Sequence, residues 1–169
     1  MWRHVRAIGL LPGFGAGAVP ALILALTEFD VGWGLDGALA AVTVLAGAVL
    51  AGAGLALVYR TISLFAHEGG GTLAPWDPTR KLVVRGPYRF VRNPMITGVL
   101  TVLLGEASLF GSPWILAWAA VFLTMNAIWF PLVEEPGLHR RFGDEYEAYS
   151  RSVPRWIPRR APWTPPGRS

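Results

Sequence analysis

The chain has 169 residues, 53% of them hydrophobic and only 15% charged. One domain is expected at that length, and such long uncharged runs fit a membrane protein better than a soluble globule. The absence of cysteine excludes disulfides, thiol catalysis and thiolate metal sites. The net charge of +4 is gathered in blocks between apolar runs, the pattern of a membrane protein rather than of a nucleic-acid binder.

Four apolar segments are predicted to cross the membrane as helices. The first, residues 7–26, follows a basic start as a signal peptide would, but its length of about 20 residues is that of a span, so it is read as a helix. Pro12 and Pro20 inside it are tolerable when neighbours satisfy the freed carbonyls, and Gly9, Gly13 and Gly17 form one smooth face. The second segment, residues 38–59, offers Gly47/Ala51 and Ala48/Gly52 as small-residue pairs. Residues 61–93, with the stretch HEGGGTLAPWDPTRKL, read as irregular backbone. The third and fourth segments, residues 95–110 and 114–133, are joined by FGSP, whose Gly111 and Pro113 predict a tight turn and hence a helical hairpin. Beyond Glu134-Glu135-Pro136, Leu138, Phe142, Tyr146 and Tyr149 recur at helical spacing. That apolar stripe predicts a helix lying on the membrane surface or against the loop. VPRWIPRRAPW mixes Arg, Trp and Pro as a headgroup-zone segment does.

All 15 basic residues fall before the first segment, between the second and third, or after the fourth. With four spans these regions share one side, and the opposite side holds only Glu28, Asp30 and Asp36. The positive-inside rule then makes both termini cytoplasmic.

Two constellations flank the cytoplasmic end of the hairpin. Glu134 and Glu135 close an apolar segment, where a helix C-terminus already carries partial negative charge and disfavours acids. They either mark the exit into water or turn one carboxylate inward toward a cationic ligand group. RGPYRFVRNPMITG (residues 85–98) sets Pro94 at a first helical position, leaving unpaired N–H groups able to hold a carboxylate. Arg85, Arg89 and Arg92 serve such a site or anchor lipid phosphates. Glu106 is expected to reach the outer interface, and Asn126 to hydrogen-bond between helices. His4, His67 and His139 lack ligand spacing, so no metal is expected.

Taken in order, KLVVRGPYRFVRNPMITG, the hairpin and EEPGLHRRFGDEYEAYSRSVPRWIP resemble the isoprenylcysteine carboxyl methyltransferase family of membrane methyltransferases. The phospholipid N-methyltransferases share that layout. The likeness covers residues 80–158, while the first two segments match only as generic spans. It implies an all-α polytopic membrane protein, one integral membrane domain over residues 1–169, with S-adenosylmethionine bound on the cytoplasmic side beneath the last two helices. Arg80, Lys81, Leu82 and Val83 would line the cofactor pocket, and Tyr88 stands at the family's tyrosine. Asn93, before Pro94, takes the place of the family's histidine, and Glu134 that of the first glutamate of its pair. A carboxylate there suits the cofactor's ammonium, the cation that the residues themselves ask for.

Three positions depart from the family: Asn93 cannot titrate near neutrality, Ile96 removes a tyrosine hydroxyl, and Phe130 stands where the prenylcysteine branch carries an arginine. A buried substrate carboxylate without that cation is costly, so prenylcysteine is not the expected substrate. The expected activity is methyl transfer to a lipid-like or prenylated small molecule that comes in laterally, with Phe130 and Trp129 shaping an apolar tunnel. Glu135 is the candidate base for an amine or hydroxyl nucleophile. Membrane lipids are the other expected partners, with no nucleic acid, and a bacterial or archaeal inner membrane is the expected location. Sterol-reductase-like proteins, which bind a nicotinamide dinucleotide, share the C-terminal layout, so a reductase using NADPH is the alternative, beside a binding protein that has lost catalysis.

Overall fold

The computed structural model describes residues 9–68 and 81–165, and in these the regular structure is helical throughout, with no strand. A π-helical stretch, Gly9–Ala18, leads into α1 (Val19–Leu26). A 3₁₀ turn, Val31–Gly34, precedes α2 (Gly37–Glu68), and a second, Gly86–Arg89, precedes α3 (Pro94–Phe110). α4 (Pro113–Trp129) runs through a π-helical stretch, Phe130–Glu134, into α5 (Glu135–Ser152).

α2 and α3 are antiparallel and pack backbone to backbone. A Cβ on Gly54 would lie 2.7 Å from both the Gly98 carbonyl oxygen and the Val102 nitrogen. One on Gly105 would lie 2.5 Å from the Ala51 nitrogen and 2.7 Å from the Gly47 carbonyl oxygen. Glycines seven residues apart on each helix thus meet across the interface, which is how helices associate where lipid removes the hydrophobic drive. Ser108 Oγ adds a hydrogen bond to the Thr43 carbonyl at 3.0 Å. The expected Gly47/Ala51 pair lies in this seam. The Ala48/Gly52 pair does not: a Cβ on Gly52 would meet nothing.

The first segment packs through Gly15 and Ala16 rather than Gly17, whose Cβ would also meet nothing. Pro20 has no N–H for the carbonyls one turn before it. The Trp118 indole donates to the Gly15 carbonyl instead, at 2.8 Å. Around this contact Val99, Leu103, Ala107, Ile115 and Ala119 form the buried core. Asn126, expected to bond between helices, donates within its own helix to the Phe122 carbonyl at 2.7 Å. The Glu106 Oε2 is buried without a hydrogen-bond partner among the described residues.

The hairpin turn is as expected. Gly111 adopts φ +55° and ψ 38° as the C-cap of α3, and Ser112 accepts from the Ile115 N–H at 3.4 Å. A side chain at Gly111 would collide with the Asp30 carbonyl oxygen, because the Val31–Gly34 turn lies against it.

Two boundaries differ from expectation. α2 continues past residue 59 to Glu68, since Arg60 and the residues after it are adequate helix formers and the Gly run starts only at residue 69. The helix also does not end at Glu134. Pro131 lacks the N–H that an α-helix would aim at the Ala127 carbonyl, and the wider π turn absorbs the proline without stopping the helix. The unfavourable C-terminal dipole expected at Glu134 and Glu135 is therefore absent.

Gly37–Leu64 and Pro113–Ser152 are long and apolar enough to cross a membrane, whereas Pro12–Leu26 and Pro94–Phe110 are apolar but shorter. The 17 residues of α3 rise about 25 Å, slightly less than a typical hydrocarbon core. Leu39, Leu45, Leu55, Met125 and Leu132 are exposed on the outer faces of the two long helices, which suits contact with lipid.

Candidate functional site

At the end of α4 the two glutamates part company. They are adjacent in sequence, so about 100° separates them around the helix. Glu135 turns toward two arginines. Its Oε1 accepts from Arg92 Nη1 at 3.0 Å and from Arg155 Nε at 2.7 Å, and its Oε2 accepts from Arg155 Nη2 at 2.7 Å. This is a two-pronged guanidinium–carboxylate contact with a second cation added. Arg92 Nη1 also lies 3.5 Å from the Tyr146 hydroxyl. Burial pushes the Glu135 carboxyl up, but the Arg155 hydrogen bonds and the charges of Arg92, Arg155 and His139 outweigh it, and the group titrates below the ordinary glutamate value.

Glu134 is the opposite case. It is half-buried, and it makes no hydrogen bond or ion pair among the described residues. Burial raises its carboxyl, with the Arg141 charge only partly opposing. A desolvated carboxylate lacking a close cation is unfavourable by itself and suited to a cationic ligand.

The segment before α3 is held by the C-terminal tail. The Arg92 N–H donates to the Pro154 carbonyl, the Arg159 N–H to the Phe90 carbonyl and the Trp163 N–H to the Arg89 carbonyl, each at 2.9 Å. Arg89 returns two side-chain bonds, to the Trp163 carbonyl and the Thr164 hydroxyl, both at 2.8 Å. Asn93 Nδ2 donates to the Arg155 carbonyl at 3.4 Å and leaves the start of α3 without a side-chain cap. Arg89 and Arg92 thus bond to groups within the protein.

α5 supplies the floor. Tyr146, Tyr149 and Val153 are buried with Leu138, Phe142, Leu82, Val84 and Trp163 against them, so the amphipathic stripe packs on the loop. Gly143, at φ +50°, kinks the helix in the middle of that stripe, a conformation that glycine adopts without steric cost. The Tyr149 hydroxyl donates to the Tyr88 carbonyl at 2.8 Å. Burial, and then the nearby Tyr149, raises the Tyr88 hydroxyl well above its ordinary value, so Tyr88 stays neutral.

Of the expected site residues, Leu82, Tyr88, Asn93, Pro94 and Glu135 are gathered around α5 and the tail. Val83 is buried and Lys81 exposed. Phe130 meets Trp156 edge to face, with ring centres 5.9 Å apart, whereas Trp129 is exposed on the outer side. Arg80 lies outside the described residues. Sequence reasoning missed Arg155 and Trp156, which it placed among headgroup anchors. Their position just after a predicted helix was the available signal, but nothing local marks a partner 20 residues upstream.

The Arg155–Glu135 contact has a pH consequence. The folded carboxyl titrates below its unfolded value of about 4.3. Its stabilisation is therefore complete above that value and is lost as pH falls through the folded one. Melting curves of wild type and Glu135→Gln in detergent should differ at pH 7 and converge towards pH 3. A gap that persists at pH 3 would refute the ion-pair origin.

No curated protein and no solved structure matches the chain significantly. Residues 42–145 match the family described as PEMT, phospholipid methyltransferase, a span that runs from within α2 to the middle of α5 and takes in both glutamates. Because that match covers well over half of the sequence, the chain belongs to the phospholipid methyltransferase family.

Proposed function

We propose that the protein is an S-adenosylmethionine-dependent methyltransferase acting on a lipid-like substrate at the cytoplasmic membrane face. The observation that carries this reading, within the family match, is the division of labour at the glutamate pair: among the described residues Glu135 is ion-paired with two arginines, whereas Glu134 forms no ion pair and feels only the more distant charge of Arg141. The residues fit the cofactor. Its amino-acid end carries an ammonium, matched by the half-buried Glu134 carboxylate, and a carboxylate, matched by the uncapped first turn of α3. When bound it supplies an electrophilic sulfonium methyl.

Around that centre the chain's own work is positioning and exclusion of water, which can account for much of a methyl-transfer rate. Glu135 serves as a positioning residue rather than a base, since both its oxygens are occupied and its carboxyl is held low. Through Arg155 and Arg92 it ties α5, the tail and the start of α3 together. Phe130 and Trp156, in edge-to-face contact, supply an apolar surface beside the glutamates for a lipid-like substrate. Four spans with both termini cytoplasmic accommodate this arrangement, since the basic residues then share the side of the glutamates.

Calorimetric titration of the detergent-purified protein with S-adenosylmethionine, and with NADPH in parallel, tests the reading. Saturable binding of the first alone is expected. Binding of NADPH alone would make the protein a reductase, and binding of neither would make it a membrane protein without this chemistry.

A further inference from the structure

A cavity of 740 Å³ lies away from the glutamate pair, between the last turns of α2 and the Gly86–Arg89 turn. One wall carries Arg60, Ser63, Leu64 and His67, whose spacing sets them on a single helix face, and Pro87 and Phe90 form much of the other. The volume is that of a small-molecule site. The Tyr88 carbonyl on the same turn accepts from Tyr149, so the turn separates this cavity from the α5 cluster.

We propose that this cavity binds the phosphate of an anionic lipid headgroup. Three observations favour that occupant. Among the described residues the polar side chains in the wall are an arginine, a histidine and hydroxyl groups, with no carboxylate. Arg60 is exposed and makes no ion pair among the described residues, so its guanidinium can take two phosphate oxygens. His67 Nδ1 is 2.7 Å from the Ser63 carbonyl, which orients the ring and leaves Nε2 for a ligand. The site also stands at the level of a headgroup: Gly37–Leu64 is the apolar span, and Arg60 and His67 sit at and just beyond its end. Tyr59, Leu64 and Phe90 continue the lining as apolar surface along which acyl chains can lie. Basic pockets between helices on the cytoplasmic side are a recurring way to hold acidic lipids.

The test uses the full chain in a non-ionic detergent, titrated with dihexanoyl phosphatidylglycerol, dihexanoyl phosphatidylcholine and inorganic phosphate. Tryptophan fluorescence and calorimetry serve as readouts. The anionic lipid should bind saturably and at least about tenfold more tightly than the other two probes. Arg60→Ala should weaken it about tenfold or more, and Arg60→Lys should recover part of the loss, since lysine still offers a point charge to phosphate. His67→Ala should weaken it to a smaller degree. Arg60 is exposed, so Arg60→Ala should keep the wild-type melting curve, and unchanged lipid affinity in that folded variant would overturn the proposal. Equal affinity for inorganic phosphate would overturn the lipid assignment and leave a free-phosphate site. S-adenosylmethionine titration of the same variant separates the two sites: intact cofactor binding with lost lipid binding is expected, whereas parallel loss of both would mean that the cavity belongs to the methyl-transfer centre.

Discussion

Glutamine in place of Glu134 is expected to weaken S-adenosylmethionine binding by about 10- to 100-fold while leaving the melting temperature unchanged or slightly higher. The substitution keeps the shape and removes the charge. A hydrogen bond to a charged group contributes about 1.5–3 kcal/mol, and each 1.4 kcal/mol is about tenfold in affinity. Nothing inside the protein loses a partner, because Glu134 makes no hydrogen bond or ion pair among the described residues. Relief of carboxylate desolvation adds slightly to stability. The neighbouring Glu135→Gln should behave in reverse, lowering the melting temperature at neutral pH because Arg92 and Arg155 then lose their counter-charge. Calorimetry and thermal melts on both variants read this contrast. Full cofactor affinity in Glu134→Gln would sink the site assignment, whatever the enzyme does.

Leucine at position 105 should abolish the folded state or lower its stability by about 3 kcal/mol or more. Overpacking a core costs about 1–3 kcal/mol when side chains can shift aside. Here the obstacle is backbone, the Ala51 nitrogen and the Gly47 carbonyl oxygen, so α2 and α3 must separate along their seam. Gly52→Leu is the matching control, since its Cβ points into open space and lipid accepts a leucine there. Yield of monodisperse protein and its melting curve in detergent give the comparison. A Gly105→Leu protein as stable as Gly52→Leu would mean that the two helices do not pack in this register.

The two variants probe features of different legibility. The hairpin was readable because Gly111 and Pro113 break an otherwise apolar run. The stripe of Leu138, Phe142, Tyr146 and Tyr149 was readable because helical periodicity is local, and it packs on Leu82 and Val84 despite the kink at Gly143. The reach of α2 to Glu68 and the passage of the helix through Pro131 were not. A charge or a proline in a sequence states a cost, while neighbouring turns decide whether the helix absorbs it.

Composition and spacing within one stretch of chain suffice for the helical class, the apolar spans, the turn between α3 and α4 and a membrane methyltransferase family, whereas the isoprenylcysteine branch suggested by the C-terminal motifs is not what the family match supports. Which small residues form the α2–α3 seam was set by the crossing of the two helices, since every face of α2 carries some. The resemblance assigns Glu134 to the cofactor and leaves Glu135 as the candidate base, and the structure adds a physical difference between them: the tail brings Arg155 back to Glu135. A helix step of about 100° then leaves the other carboxylate without an ion pair among the described residues.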